Sequence, residues 1–237
     1  TEWNQRAVQI ATEAGEDMQN KVRVHASIGI HPGEVSFGNI TSSTEIDKQI
    51  AILTDLLLKH REWIVAIGEC GIDAHYSGYE IHKTLQQELF RHQCALAQKY
   101  TLPLIIHSRE QFTDTLEVLQ EFPQLALYFH CRGYTAREIQ QVLSLPNKVW
   151  VGFCGNITYP KASDIQESLV SLREHSPESL LLETDAPYLT PQTNRGETNT
   201  PTTIIHIYSY VSEILDIPME DLQKTIAQNN QALYQRD

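Results

Sequence analysis

The stretch WIVAIGECGIDAHY (63–76) decides how the rest of the chain reads. Five apolar or small residues, Ile64 to Gly68, run straight into Glu69. A short, nearly continuous apolar run of this kind is the mark of a strand buried on both faces. A carboxylate at the buried end of such a run demands something that compensates its charge.

Outward from this stretch the same pattern repeats. Apolar runs at 22–30, 63–69, 103–107, 125–130, 148–153 and 179–184 read as strands. Helix-period segments follow them at 44–60, 80–99, 110–121, 135–144, 161–173, 201–215 and 219–235. The opening TEWNQRAVQIATEAGEDM reads as an amphipathic helix, with Trp3, Ala7, Ile10, Ala11 and Ala14 on one face. Thr135, with Glu138 three residues on, has the form of a capping box, and Pro201 suits the first turn of a helix. Strand–helix alternation of this kind gives a parallel α/β sheet, open or closed into a barrel. No Gly-rich phosphate loop follows the first strand, which weakens a dinucleotide-binding reading. The chain reads as a single domain, with no linker, repeat or low-complexity segment.

Composition sets outer limits. The 237 residues carry 18 Lys and Arg against 30 Asp and Glu, a net charge of −12. That argues against a protein that coats nucleic acid through a basic surface. It leaves room for an enzyme that grips phosphate through bound cations, which bring their own positive charge. No apolar stretch approaches the ~20 residues that span a bilayer. Cys70, Cys94, Cys131 and Cys154 form no CxxC pair, and in a chain this large they read as reduced, small apolar residues in a cytoplasmic protein. Nothing in the sequence points to an obligate protein partner.

The chargeable residues fall in one kind of place. Glu69, His107 and His130 stand at the ends of three strands, Asp185 follows a fourth, and His31 follows the first. In a parallel barrel the C-terminal strand ends converge on one face, where barrel enzymes hold their active sites. Carboxylates and imidazoles brought together in this way suit a divalent cation, Zn²⁺, Mn²⁺ or Mg²⁺.

The segments IGIHPGE (28–34), VAIGECGID (65–73), LPLIIHSRE (102–110), FHCRGYTAREI (129–139), VGFCGNITYPKA (151–162), LLLETDAPYLTP (181–191) and RGETNTP (195–201) resemble the TatD-type metal-dependent deoxyribonucleases, within the amidohydrolase-like barrels. The resemblance implies a (β/α)₈ TIM-type barrel with one or two divalent metal ions, Mg, Mn or Zn, hydrolysing phosphodiester bonds with DNA as substrate. It makes Glu69 a bridging metal ligand and His107 and His130 further ligands. Asp185 becomes the residue that holds metal and attacking water. His31 lines the site, and Arg109 stands where a phosphate contact is useful.

Three departures stand out. The family's opening His-x-His strand has no counterpart: the only histidine before His31 is His25. The barrel is therefore expected to lack its first strand, helix and second strand in the sequence shown, and the non-Met start fits an upstream segment. Arg132 replaces a more usual aromatic residue, and Thr200 replaces an acidic one. Two alternatives remain open. One is another amidohydrolase-like hydrolase acting on an amide, lactone or phosphoester, against which the absence of a strand-end Lys counts. The other is a relic impaired by loss of the His pair.

Overall fold

The computed structural model describes residues 2–16, 22–76, 78–131 and 133–234. The chain forms two compact units, Thr1–Leu127 and Tyr128–Asp237.

In the first unit, α1 (Glu2–Glu16) leads to β1 (Ala26–Ile28), the short α2 (Gly33–Ser36), α3 (Ser43–Lys59), β2 (Ile64–Asp73), α4 (Tyr79–Tyr100), β3 (Leu104–Arg109) and α5 (Phe112–Leu119). Strands β1, β2 and β3 are parallel and lie side by side in chain order. Ile28, Ile64, Ile67, Ile72, Leu104 and Ile106 are wholly buried in them, as are Leu89 and Phe90 of α4, which packs on β2. Each such side chain taken from water contributes roughly 1.5–3 kcal/mol. Strand β4 (Ala126–Phe129) crosses the boundary between the units.

The second unit continues with α6 (Ala136–Leu143), β5 (Lys148–Phe153), α7 (Ser163–His175), β6 (Leu180–Leu182), α8 (Ile204–Leu215) and α9 (Met219–Tyr234). Strands β5 and β6 pair in parallel. Val151, Phe153, Leu180, Ile207, Val211, Leu222 and Ile226 form its apolar interior. The expected capping box is present: the Glu138 N–H donates to Thr135 Oγ1 (3.3 Å) and the Thr135 N–H to Glu138 Oε2 (2.8 Å). Pro201 opens a separate 3₁₀ turn, Pro201–Thr203, immediately before α8.

Strand boundaries differ from the sequence reading most in β1, β2 and β3. Strand β1 spans only Ala26–Ile28 within the expected 22–30. Strand β2 does not end at Glu69 but runs on to Asp73. The reason is a bulge: Ile67 faces Leu104 and Cys70 faces Ile106, three residues on β2 against two on β3. A bulge lets the strand absorb an extra residue, here within the segment that holds Glu69, and resume pairing. Glycines make this possible. Gly71 has φ 144°, and a Cβ there would lie 1.9 Å from the His107 carbonyl oxygen. His107 likewise lies inside β3 and not at its end.

Side-chain amides finish what the ladder leaves unpaired. Buried Gln86 and Gln93 stand seven residues apart on α4, close to two helical turns. Gln86 accepts from the Asp73 N–H (2.9 Å) and donates to its carbonyl (3.0 Å). Gln93 does the same for Ile30, at 2.7 and 3.0 Å. Asn4 of α1 holds Gly29 in the same two-bond way, at 2.8 and 3.1 Å. These contacts fix the backbone where β1 and β2 give out.

The reading of all four cysteines as reduced needs correction. Cys70 and Cys94 are free and buried, but Cys131 and Cys154 form a disulfide. The tertiary fold brings the residues after β4 and β5 together, which spacing alone does not reveal. Among the described residues no helix is long and apolar enough to cross a membrane.

Alkylation of the unfolded, non-reduced protein is therefore expected to label Cys70 and Cys94 and to reach Cys131 and Cys154 only after reduction. With 23 residues between the bridged positions, breaking the bond is expected to cost about 3 kcal/mol of stability in denaturant titration. Labelling of all four without reductant contradicts the pairing.

Candidate metal centre

In the first unit one histidine is held between two carboxylates. His107 Nδ1 lies 2.8 Å from Glu69 Oε1, and His107 Nε2 lies 2.9 Å from Asp73 Oδ2. Asp73 is 1 % exposed and accepts a second bond, from the His75 N–H (2.8 Å). Burial alone pushes Asp73 up. The hydrogen bonds from His107 and the His75 N–H, with the charges of His107 and Arg109, outweigh it and hold the carboxyl below its ordinary range. Asp73 is thus an acceptor, and a neutral His107 that donates to it does so from Nε2.

This leaves Nδ1 facing the Glu69 carboxylate. Two lone pairs at 2.8 Å repel unless a cation occupies the space: a proton, or a metal ion that both groups ligate. The donor set therefore fits a divalent cation. An anchored outer nitrogen with an inner nitrogen turned to a second carboxylate is the arrangement metal-ligating histidines show.

His31 joins the cluster from the turn after β1. Ligand atoms of His31, Glu69 and His107 all lie within 4.8 Å of one another. The His31 ring meets the His107 ring edge-on, with centroids 4.3 Å apart. The Gly33 N–H donates to His31 Nδ1 (3.0 Å). A neutral imidazole that accepts at Nδ1 carries its proton on Nε2, so in this state His31 offers a donor rather than a lone pair.

Arg109 ends β3. Its Nε is 3.8 Å from Glu110 Oε1, which also pairs with His75 Nδ1 at 2.7 Å. Arg109 thus stands beside a carboxylate as well as near the cluster's strand.

The second unit carries a comparable arrangement. His130 Nδ1 lies 2.6 Å from Glu183 Oε2, and His130 Nε2 lies 3.2 Å from Asp185 Oδ1. Glu183 also accepts from the Cys131 N–H. The Cys131–Cys154 bond ties the residue beside His130 to the end of β5. Asp185 follows β6 with φ 56°, in the left-handed region. Arg132 lies outside the described residues. At Thr200 no acidic group is present, and Asn199 supplies the contacts: its Nδ2 donates to the Thr184 and Tyr188 carbonyls.

Sequence reasoning passed over Asp73 and Glu183. Both stood in its quoted segments, and the signal was spacing. Asp73 follows Glu69 by four positions on β2, an even interval along a strand, and Glu183 precedes Asp185 by two in the segment just past β6.

Comparison with known proteins agrees with this chemistry. Residues 2–235 match the family model described as TatD related DNase. An uncharacterized metal-dependent hydrolase of Mycoplasma pneumoniae is 32% identical over 213 residues, covering 88% of this chain and 77% of that protein. YabD of Bacillus subtilis, also described as an uncharacterized metal-dependent hydrolase, is 28% identical over 225 residues, covering 94% and 82%. Among solved structures, YjjV, a TatD homologue from Escherichia coli, superposes with a TM-score of 0.80 at 24% identity, covering 98% of this chain and 82% of that one. A TatD family hydrolase from Entamoeba histolytica gives 0.75 at 21%, covering 97% and 80%. The α/β, TIM-barrel class expected from the sequence is the fold these chains share. The chain belongs to the TatD-related family of metal-dependent hydrolases.

Proposed function

We propose that this protein is a deoxyribonuclease that hydrolyses phosphodiester bonds of DNA with the help of divalent cations. The observation that carries the reading is the Glu69–His107–Asp73 arrangement: a half-buried carboxylate in contact with His107 Nδ1, whose opposite nitrogen rests on a buried second carboxylate. The description of the matching family model supports the substrate.

Glu69 and His107 Nδ1 would hold the ion. When bound, it lowers the pKa of a water and offsets charge growing on phosphate oxygens. Asp73 keeps the His107 ring in the tautomer that turns the Nδ1 lone pair toward Glu69. His31 Nε2–H, fixed by the Gly33 N–H on the opposite nitrogen, is placed to donate to a phosphate oxygen. Arg109 adds a cationic contact for the next phosphate. In the second unit His130 Nε2 and Asp185 form a further donor pair, steadied by Glu183. Within that unit, Asp185 beside His130 Nε2 would accept a proton from a water held there.

Two substitutions test this. Glu69→Gln keeps the size and removes the charge. It is expected to reduce metal-dependent cleavage of an oligodeoxynucleotide by more than the ~10–100-fold typical of outer-shell partners. Undiminished cleavage in a folded Glu69→Gln protein overturns the assignment. Asp73→Asn is expected to weaken Mn²⁺ binding by ~10–100-fold in a metal titration. Added Mn²⁺ should recover part of its activity, and KM for DNA should stay near the wild-type value. Running ester and lactone substrates beside DNA separates this reading from other amidohydrolase-like chemistry.

A further inference from the structure

Beside the His31–His107 contact lies an exposed aromatic surface that the chemistry above does not use. Phe37, the residue capping the C-terminus of α2, is 61 % exposed. Its ring meets that of Tyr76 edge-to-face, with centroids 4.7 Å apart and planes at 64°. Tyr76 in turn meets His75 edge-on at 5.8 Å. The surface adjoins the cluster directly. A Cβ placed on Gly33 would lie 2.9 Å from His31 Nδ1 and 3.2 Å from Phe37 Cε2, so the width of one methyl group separates the two rings. All these residues belong to the segments that follow β1 and β2 in the first unit.

An acidic chain that acts on a polyanion lacks the usual source of affinity. With 30 acidic and 18 basic residues, release of counterions by a basic surface contributes little. Affinity must then come from contacts that need no positive field. Stacking of a base on an aromatic ring is one, and every base has a face to offer. The T-shaped contact with Tyr76 holds the ring's orientation, and Phe37 remains 61 % exposed beside it.

We propose that Phe37 is a stacking platform for the base of an unpaired nucleotide whose phosphodiester lies at the Glu69–His107 cluster, with Tyr76 as its positioning residue. The inference rests on the nuclease reading and narrows it. The preferred substrate is a single strand or a frayed end, because bases inside a duplex already stack on each other.

The test compares two substrates of equal length: oligothymidylate, and an oligomer in which every base is replaced by tetrahydrofuran on the same phosphodiester backbone. The readout is the ratio of their kcat/KM values with Mn²⁺ present. Wild type is expected to favour the base-bearing strand by roughly tenfold or more. Phe37→Ala should bring the ratio close to one, and Phe37→Trp should restore it. Phe37 is exposed, so these variants leave the core intact. A Phe37→Ala ratio equal to the wild-type ratio overturns the platform, as does a wild-type ratio of one, and either result leaves the nuclease reading standing. Failure of the wild-type protein to cleave either strand overturns the nuclease reading and the platform together.

Discussion

His107 has both ring nitrogens committed to carboxylates, and the rest of the candidate site follows from that. An imidazole can give one proton and keep one lone pair. Asp73, buried and doubly hydrogen-bonded, takes the proton on Nε2. The lone pair on Nδ1 must then face Glu69, and the contact is tolerable only with a cation between them. The charge that looks misplaced at the end of an apolar run is therefore one wall of a binding site. Desolvation makes such a site costly when empty of any cation and selective when filled.

The fold supplies the precision this requires. The bulge and glycines of β2 let that strand pass close to His107 while it carries both carboxylates. Gln86 grips Asp73 by its backbone, and Gln93 grips the residue before His31. Both glutamines stand on one face of one helix, so α4 sets the spacing between two parts of the cluster. The second unit repeats the logic with other means. There the Cys131–Cys154 bond and Glu183 hold the surroundings of His130.

Much of this was legible in the sequence. Short apolar runs gave the strand core because burial on both faces leaves no room for alternation, and helix 79–100 declared itself by period and length. Glu69, His107, His130 and Asp185 announced themselves as charges where apolar residues were due. What stayed hidden depends on contacts between distant segments. A bulge is a relation between two strands, so the continuation of β2 to Asp73 could not be read from β2 alone. The disulfide joins residues far apart along the chain. The tautomer of His31 depends on a single backbone N–H, that of Gly33. Asp73 was visible as a residue but not as an anchor, since its role exists only through His107.

The central claim is that Glu69 and His107 Nδ1 are joint ligands of a metal ion. Anomalous diffraction from crystals grown with Mn²⁺ tests it most directly. The account predicts a manganese peak bonded to a Glu69 carboxylate oxygen and to His107 Nδ1, with His107 Nε2 still on Asp73. A peak bonded through Nε2 with the Asp73 contact broken, or no peak at these two residues, contradicts it.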